Sequence, residues 1–254
     1  MTHVIAIANT GDTTDHTTTV VSIAGALATD GLKVLIIEAN AEAPIASYFR
    51  LDETPGPTLV DIFRDGGIVS KDPFTTLASV SDSISVNIIA AGENIEQLAS
   101  SLGSFAGKGL LLSHLVTVLD DLYDYVLISC GRNLDVLLVN ALAASTTLVI
   151  PASLGNIDAE TLKQYLKIVT MVEAGKKVAL RKIAVPIARE MEAATSEQEK
   201  EELKSLFGDE LWEGVIPADP LFEQAAEQGS TISELNPKTP GAVGYRRLSE
   251  ALAK

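Results

Sequence analysis

Val4-Ile5-Ala6-Ile7-Ala8 leads into Asn9-Thr10-Gly11-Asp12-Thr13-Thr14-Asp15-His16, then into Thr17 to Ala28, and then into Lys33-Val34-Leu35-Ile36-Ile37-Glu38. The first and last of these stretches are nearly unbroken apolar runs, as expected of strands covered on both faces. Between them, Val20, Val21, Ile23, Ala24 and Leu27 recur at helical spacing, which predicts a helix over 17–28 ending near Gly31. Strand, loop, helix and strand in this order predict a right-handed βαβ unit with parallel pairing.

Outward from this unit the alternation continues. Strands are expected over 85–91, 126–130, 147–151, 182–187 and a short last one over 212–216. Helices are expected over 110–122, 134–144, 158–172, 196–207 and 241–253, and a turn-rich surface loop over 51–57. The fold class is α/β, a doubly wound, mostly parallel sheet with helices on both faces. No linker or repeat divides the chain, so residues 1–254 are expected to form one domain.

With 46% hydrophobic and 21% charged residues, 254 residues can bury a full core. The net charge of -15 opposes long-range attraction to nucleic acid and anionic lipid. No apolar run has the length of a membrane span. The start, Met1-Thr2-His3-Val4, lacks a signal peptide's basic region. The single cysteine, Cys130, follows an apolar run and is expected to pack as a small side chain. These features predict a cytoplasmic protein.

In a doubly wound sheet, ligands bind beyond the carboxyl ends of the strands, so the loop after the first strand is the first candidate site. A phosphate loop uses glycines to expose backbone N–H groups, a lysine for charge and a Ser/Thr for magnesium. Here Gly11 is the sole glycine from Asn9 to Thr19, no lysine is present, and Asp12 and Asp15 add negative charge. Thr13, Thr14, Thr17 and Thr18 offer hydroxyls. A non-ligand reading stands beside this one, with Asp15 as the N-cap of the following helix. Another is an oxygen-rich cation site made by Asp12, Asp15, His16, Glu38 and Glu42.

The loop and its flanks resemble the deviant Walker A loop of the ParA/MinD family, K-G-G-x-G-K-[ST]-[ST]. In that resemblance Gly11 stands at the signature lysine and His16 at the phosphate-binding lysine. Asp12, Thr13 and Asp15 stand at the glycines, and Thr17 and Thr18 match. The likeness extends through Ile37-Glu38-Ala39-Asn40, Tyr123-Asp124-Tyr125 to Gly131, Asn140-Ala141-Leu142, Ile150-Pro151, Val215-Ile216-Pro217, and Gly241-Ala242-Val243-Gly244-Tyr245. It implies a P-loop NTPase-type fold and candidate nucleotide-site positions at 11–18, Glu38, Asn40, Ser129 and Pro217. It also implies that the chemistry is altered. Asn40 stands where the family places the aspartate that positions water, and Ser129 where it places the magnesium-supporting aspartate.

The expectation is therefore a pseudo-ATPase with no catalytic residue and no bound cofactor, acting as a dimeric partner-binding scaffold in DNA or cargo positioning. A working ParA-type ATPase using ATP and magnesium is the first alternative. A metal- or small-ligand-binding module in the same crevice is the second. The implied partners are a second copy or a ParA-like paralogue, with a ParB-like or cargo adaptor protein. DNA binding is not expected, because Ala218-Asp219-Pro220-Leu221 replaces the arginine-bearing stretch of relatives. The basic residues Lys176, Lys177, Arg181, Lys182, Arg246 and Arg247 are the remaining candidates for such a surface. No membrane anchor is expected from the ending Leu248 to Lys254.

Overall fold

A computed structural model describes residues 2–8, 10, 13–42, 44–51, 56–64, 77–81, 83–102, 108–153, 159–188 and 197–254. Seven strands make one sheet: β1 (His3–Ile7), β2 (Val34–Ala39), β3 (Ala78–Ser79), β4 (Val86–Ile89), β5 (Tyr125–Cys130), β6 (Thr147–Ser153) and β7 (Arg181–Ile187). Their order is β3-β4-β2-β5-β1-β6-β7. Every pair is parallel except β3 with β4. The three central strands are the apolar runs of the sequence, and every residue of β2 and β5 is buried.

The two faces are covered by different helices. One carries α1 (Thr13–Thr29), α2 (Pro44–Tyr48) and α11 (Pro240–Leu252), packed on Ile5, Ile7, Ile36 and Leu127. The other carries α3 (Leu59–Arg64), α4 (Ile95–Leu102), α5 (Leu111–Leu119), α6 (Val136–Ala144), α7 (Ala159–Lys176) and α8 (Glu197–Phe207), packed on Ala6, Ile37, Ile128 and Ile150. Helices α9 (Leu221–Gln228) and α10 (Ile232–Leu235) lead into α11. This is the doubly wound, mostly parallel α/β fold that the alternation implies.

Helix α1 is enclosed twice, by the sheet beneath and by α10 and α11 above. Gly25 makes the upper contact possible: a Cβ there would lie 2.6 Å from the Cβ and Oγ1 of Thr231. Thr231 is the N-cap of α10 in a capping box with Glu234, so it has little freedom to retreat.

Three expectations are corrected. Helix α1 begins at Thr13, four residues before the expected start, so Asp15 lies in the first turn instead of at the N-cap. A hydrogen bond from Ser153 Oγ to the Asp15 carboxylate ties that turn to the end of β6. Residues 212–216, expected as a strand, do not form one. They follow β7 through two isolated bridges, Ala184 with Leu211 and Ile187 with Ile216. The Trp212 ring lies over Gly214, at 2.5 Å from where a Cβ would stand, and this fold-over interrupts the ladder. The basic stretch after α7 is largely engaged in structure. Lys176 donates to the carbonyls of Leu142 and Ser145, Arg181 to that of Ala251, and Lys182 pairs with Glu173 and Glu210. Of the expected 51–57 loop, residues 52–55 lie outside the described chain, and Leu51, Gly56 and Pro57 belong to no helix or strand.

Candidate functional site

The carboxyl ends of β1, β2, β5, β6 and β7 open on one rim, and the candidate residues are distributed along it. Gly11 and Asp12 lie outside the described residues, as do the side chains of Thr13 and Thr14. His16, Thr17, Glu38, Asn40 and Ser129 are buried, Asp15, Thr18 and Pro217 half-buried.

His16 is carried inward by the first turn of α1 and is 1% exposed. Its Nε2 lies 3.3 Å from the Ile7 carbonyl. A carbonyl only accepts, so Nε2 is the protonated nitrogen and Nδ1 the bare one. Burial lowers its pKa to about 4, with the Ile7 bond opposing. The ring is a neutral, packed side chain at physiological pH.

Glu38 ends β2 fully buried. Its Oε1 accepts from the N–H groups of Ile45 (2.6 Å) and Ala46 (3.3 Å), fixing the start of α2. Burial raises its pKa to about 7, offset in part by hydrogen bonds from the backbone of Ile45, Ala46 and Ala91. Two residues on, Asn40 Oδ1 accepts from Glu42 N–H at 3.1 Å. Parallel register sets Glu38 beside Ser129 and Ser129 beside Ile7. Glu38, Ser129 and Ile7, whose carbonyl holds His16, are thus neighbours across the three central strands beneath the beginning of α1.

Cys130, the next residue on β5, faces the other core and is fully buried, which pushes its thiol up to about 12. It is an inert packed side chain, as expected. The Asn140 of the Asn-Ala-Leu stretch is also structural. It accepts from Leu112 N–H and donates to the Val136 carbonyl, joining α6 to the start of α5.

Farther along the rim, a crevice of about 380 Å³ lies between the start of α1, the end of β7 and α11. Asp15, Thr18, Ile187, Ala188, Ile216, Ala218, Asp219, Pro220, Phe222 and Tyr245 line it. Tyr245 Oη meets Thr19 Oγ1 at 3.0 Å, and its ring sits edge-on to Phe222 at 5.8 Å. Asp219 accepts from the N–H groups of Leu221 and Gly241, holding the turn into α9 against the start of α11. Pro217 lies between two lining residues and packs on Gly244 of α11.

The structure therefore separates the expected residues into two groups. His16, Glu38 and Ser129 come together, with Asn40 at their edge. Asp15 and Thr18 belong to the crevice beside α11. Of the expected cation cluster, Asp12 lies outside the described residues, and among the described residues no group of three or more His, Cys, Asp or Glu side chains is placed to hold a metal ion. Sequence reasoning missed Ser153, Ile187, Ala188 and Phe222. Ser153 and Ile187 end β6 and β7, where a doubly wound fold puts ligand-facing residues, and that position was their available signal.

A βαβ unit at the centre of a doubly wound sheet, its two parallel strands separated by β5 instead of paired with each other as expected, with its binding rim at the strand ends, defines a P-loop-type α/β protein. The model of the AAA domain family matches residues 2–182. The chain belongs to that family and, within it, to the ParA/MinD group. It is 28% identical to the sporulation initiation inhibitor protein Soj of Bacillus subtilis strain 168 over 253 residues, 98% of each chain. It is 25% identical to the chromosome partitioning protein ParA of Caulobacter vibrioides strain NA1000 / CB15N over 250 residues, 97% of this chain and 92% of that one. In fold it is similar to apo McdA of Cyanothece, with a TM-score of 0.83, 19% identity, and 100% of each chain covered. Among the described residues, no helix is long and apolar enough to cross a membrane.

Proposed function

We propose that this chain is a ParA-type partition or positioning protein that works without hydrolysing ATP, as a dimeric scaffold for partner proteins in the cytoplasm. The relatives' role in chromosome partitioning supports the general task. One observation carries the departure from it. The position of the family's phosphate-binding lysine holds His16, a buried neutral imidazole whose pKa lies near 4.

The other departures act in the same direction. Gly11 supplies no charge at the signature position, and Asn40 and Ser129 supply none at the aspartate positions. Asp15 lines the crevice and repels phosphate. Two like unit charges about 4 Å apart repel by roughly 4 kcal/mol at an effective dielectric near 20. These residues do not fit a magnesium-bound triphosphate. A chain that does not switch on ATP would hold its partner-binding state as a constitutive homodimer, or as a heterodimer with a ParA-like paralogue. It would present that state to a ParB-like or cargo adaptor protein and not to DNA.

Equilibrium binding of magnesium-ATP tests this, with the double change Gly11→Lys and His16→Lys for comparison. The natural chain should show no saturable binding and should sediment as a dimer without nucleotide. Clear micromolar binding would overturn the reading. It would favour a partition ATPase whose phosphate charge is neutralised from outside the loop. The crevice beside Thr18, with Ile187, Ala188, Ile216 and Phe222 on its walls, favours that second reading, because such a surface suits a flat heterocycle.

A further inference from the structure

Four side chains at the carboxyl edge of β1, β2 and β5 each bury a polar atom that has no hydrogen-bond partner. These atoms are His16 Nδ1, Glu38 Oε2, Asn40 Nδ2 and Ser129 Oγ. None of the four residues is more than 2% exposed. Glu38 and Ser129 are register partners, and Ser129 is the partner of Ile7, whose carbonyl holds the His16 ring. Glu38 and Ser129 lie on the face that carries Ile7, Ile36 and Leu127 and is covered by α1. One buried orphan is an ordinary defect, but neighbouring orphans call for an explanation.

The hydrogen-bond character of each atom follows from its neighbours. His16 Nδ1 is a bare lone pair, since Nε2 donates to Ile7. Glu38 Oε1 is occupied by two backbone N–H groups, the Ala91 backbone also favours the ionised form, and Oε2 itself has no hydrogen-bond partner and is left as a further acceptor. Ser129 Oγ accepts or donates. Asn40 Oδ1 is held by Glu42 N–H, which leaves Nδ2 as the one fixed donor, at the edge of the group. Two further acceptors, His16 Nδ1 and Ser129 Oγ, thus accompany a carboxylate for which no cation of the described residues is a partner.

We propose that this buried polar cluster is a binding site for a single protonated primary amine, whose three N–H bonds serve His16 Nδ1, Glu38 Oε2 and Ser129 Oγ. An ammonium group brings both the donors and the compensating charge. A water molecule would donate only two bonds and leave the carboxylate charge uncompensated. Magnesium and calcium take six or more oxygen ligands, and only two of the four unpartnered atoms are oxygens. The neutral His16 ring does not compete with the amine for Glu38. The amine is either free ammonium or the tip of a lysine-like side chain, and both present the same group. The site stands whether or not nucleotide binds at the neighbouring loop.

The test is a titration of the full chain with ammonium chloride and, separately, n-butylamine hydrochloride, against sodium chloride at equal ionic strength. It is read from the amide resonance of Ile45, whose N–H bonds Glu38. Ammonium should give a saturable shift that sodium does not, roughly tenfold tighter at pH 8 than at pH 6, because only the ionised carboxylate compensates the charge. Matching binding of n-butylamine assigns the cluster to a lysine-like tip, and binding of ammonium alone assigns it to the free ion. Ser129→Ala removes an orphaned atom without opening the core, and should weaken binding severalfold in a chain that still folds. Glu38→Gln should abolish it. A shift shared with sodium, one that does not saturate, or one that survives Glu38→Gln overturns the proposal. The magnesium-ATP titration above is a separate readout, so either inference can fail alone.

Discussion

Helix α1 is two regions in one element. Residues 20–28 are buried on every side, by the sheet below and by α10 and α11 above. The first turn, Thr13 to His16, is equally close to the core but is organised by polar contacts: Ser153 with Asp15, and Ile7 with His16. The body can change only where a neighbour gives way, and its resemblance to the ParA/MinD family is accordingly plain. The first turn is held by a few directed hydrogen bonds, so its side chains are less tied to the packing around them. The fold is thus specified by the body and the chemistry by the turn, and substitutions in each should report different things.

The largest effect should come from the buried titratable pair at the turn. Glu38 has a folded pKa of about 7 against an ordinary 4.5, so the unfolded chain releases its proton first. Stability from this group is full below about 4.5 and falls as pH rises through 7. His16 has a folded pKa of about 4 against 6.5, so its contribution is full above 6.5 and is lost as pH falls towards 4. Each window spans roughly 3 kcal/mol as an upper bound, and between about 4.5 and 6.5 the two slopes cancel. Glu38→Gln should unmask stability that climbs with pH in that interval, and His16→Gln should unmask the reverse. Urea unfolding at half-unit pH steps reads both. Parallel slopes in the two variants would show that the pair does not control the profile.

Gly25→Ala sharpens the other side of the comparison. The new methyl group meets Thr231 at 2.6 Å, at a Cβ fixed by the α10 backbone. The strain should lower stability by about 1–3 kcal/mol and reduce Tm, with little change in its pH dependence. A neutral outcome would mean that α10 floats on α1, and the body would then be no more constrained than the turn.

The sequence pattern made the body legible and left the turn obscure, for a physical reason. The apolar runs of β2 and β5 can be satisfied only by burial on both faces, and residues 34–39 and 125–130 are buried throughout. Threonine and aspartate at 13–15 have weak helix propensity, so that turn reads as loop until Ser153 and Ile7 hold it. Short helices such as α2 and α10 depend on Glu38 and on the Thr231–Glu234 box, which are tertiary and capping contacts with no periodicity to detect. The segment 212–216 makes only isolated bridges at its borders, with the Trp212 ring folded over Gly214, a contact that alternation cannot reveal. At the site, residue identities disclosed the missing lysines. Only the packing disclosed that His16 is neutral and that Glu38 and Ser129 are neighbours.

Asp15→Asn should have the smallest effect, and it bears directly on whether the first turn is free of structural duty. The carboxylate sits at the N-terminal end of α1, where its charge favours the helix by about 0.3–1 kcal/mol. The amide oxygen of asparagine can still accept from Ser153 Oγ, so the tie to β6 survives. Thr19 bonds the Asp15 backbone carbonyl at 2.7 Å and is indifferent to the change. A loss within about 1 kcal/mol by thermal unfolding, with the far-ultraviolet spectrum unchanged, fits an Asp15 whose charge serves the rim more than the fold. A loss above about 2 kcal/mol would exceed what the charge supplies and would place Asp15 with Gly25 among the residues that hold α1 in place.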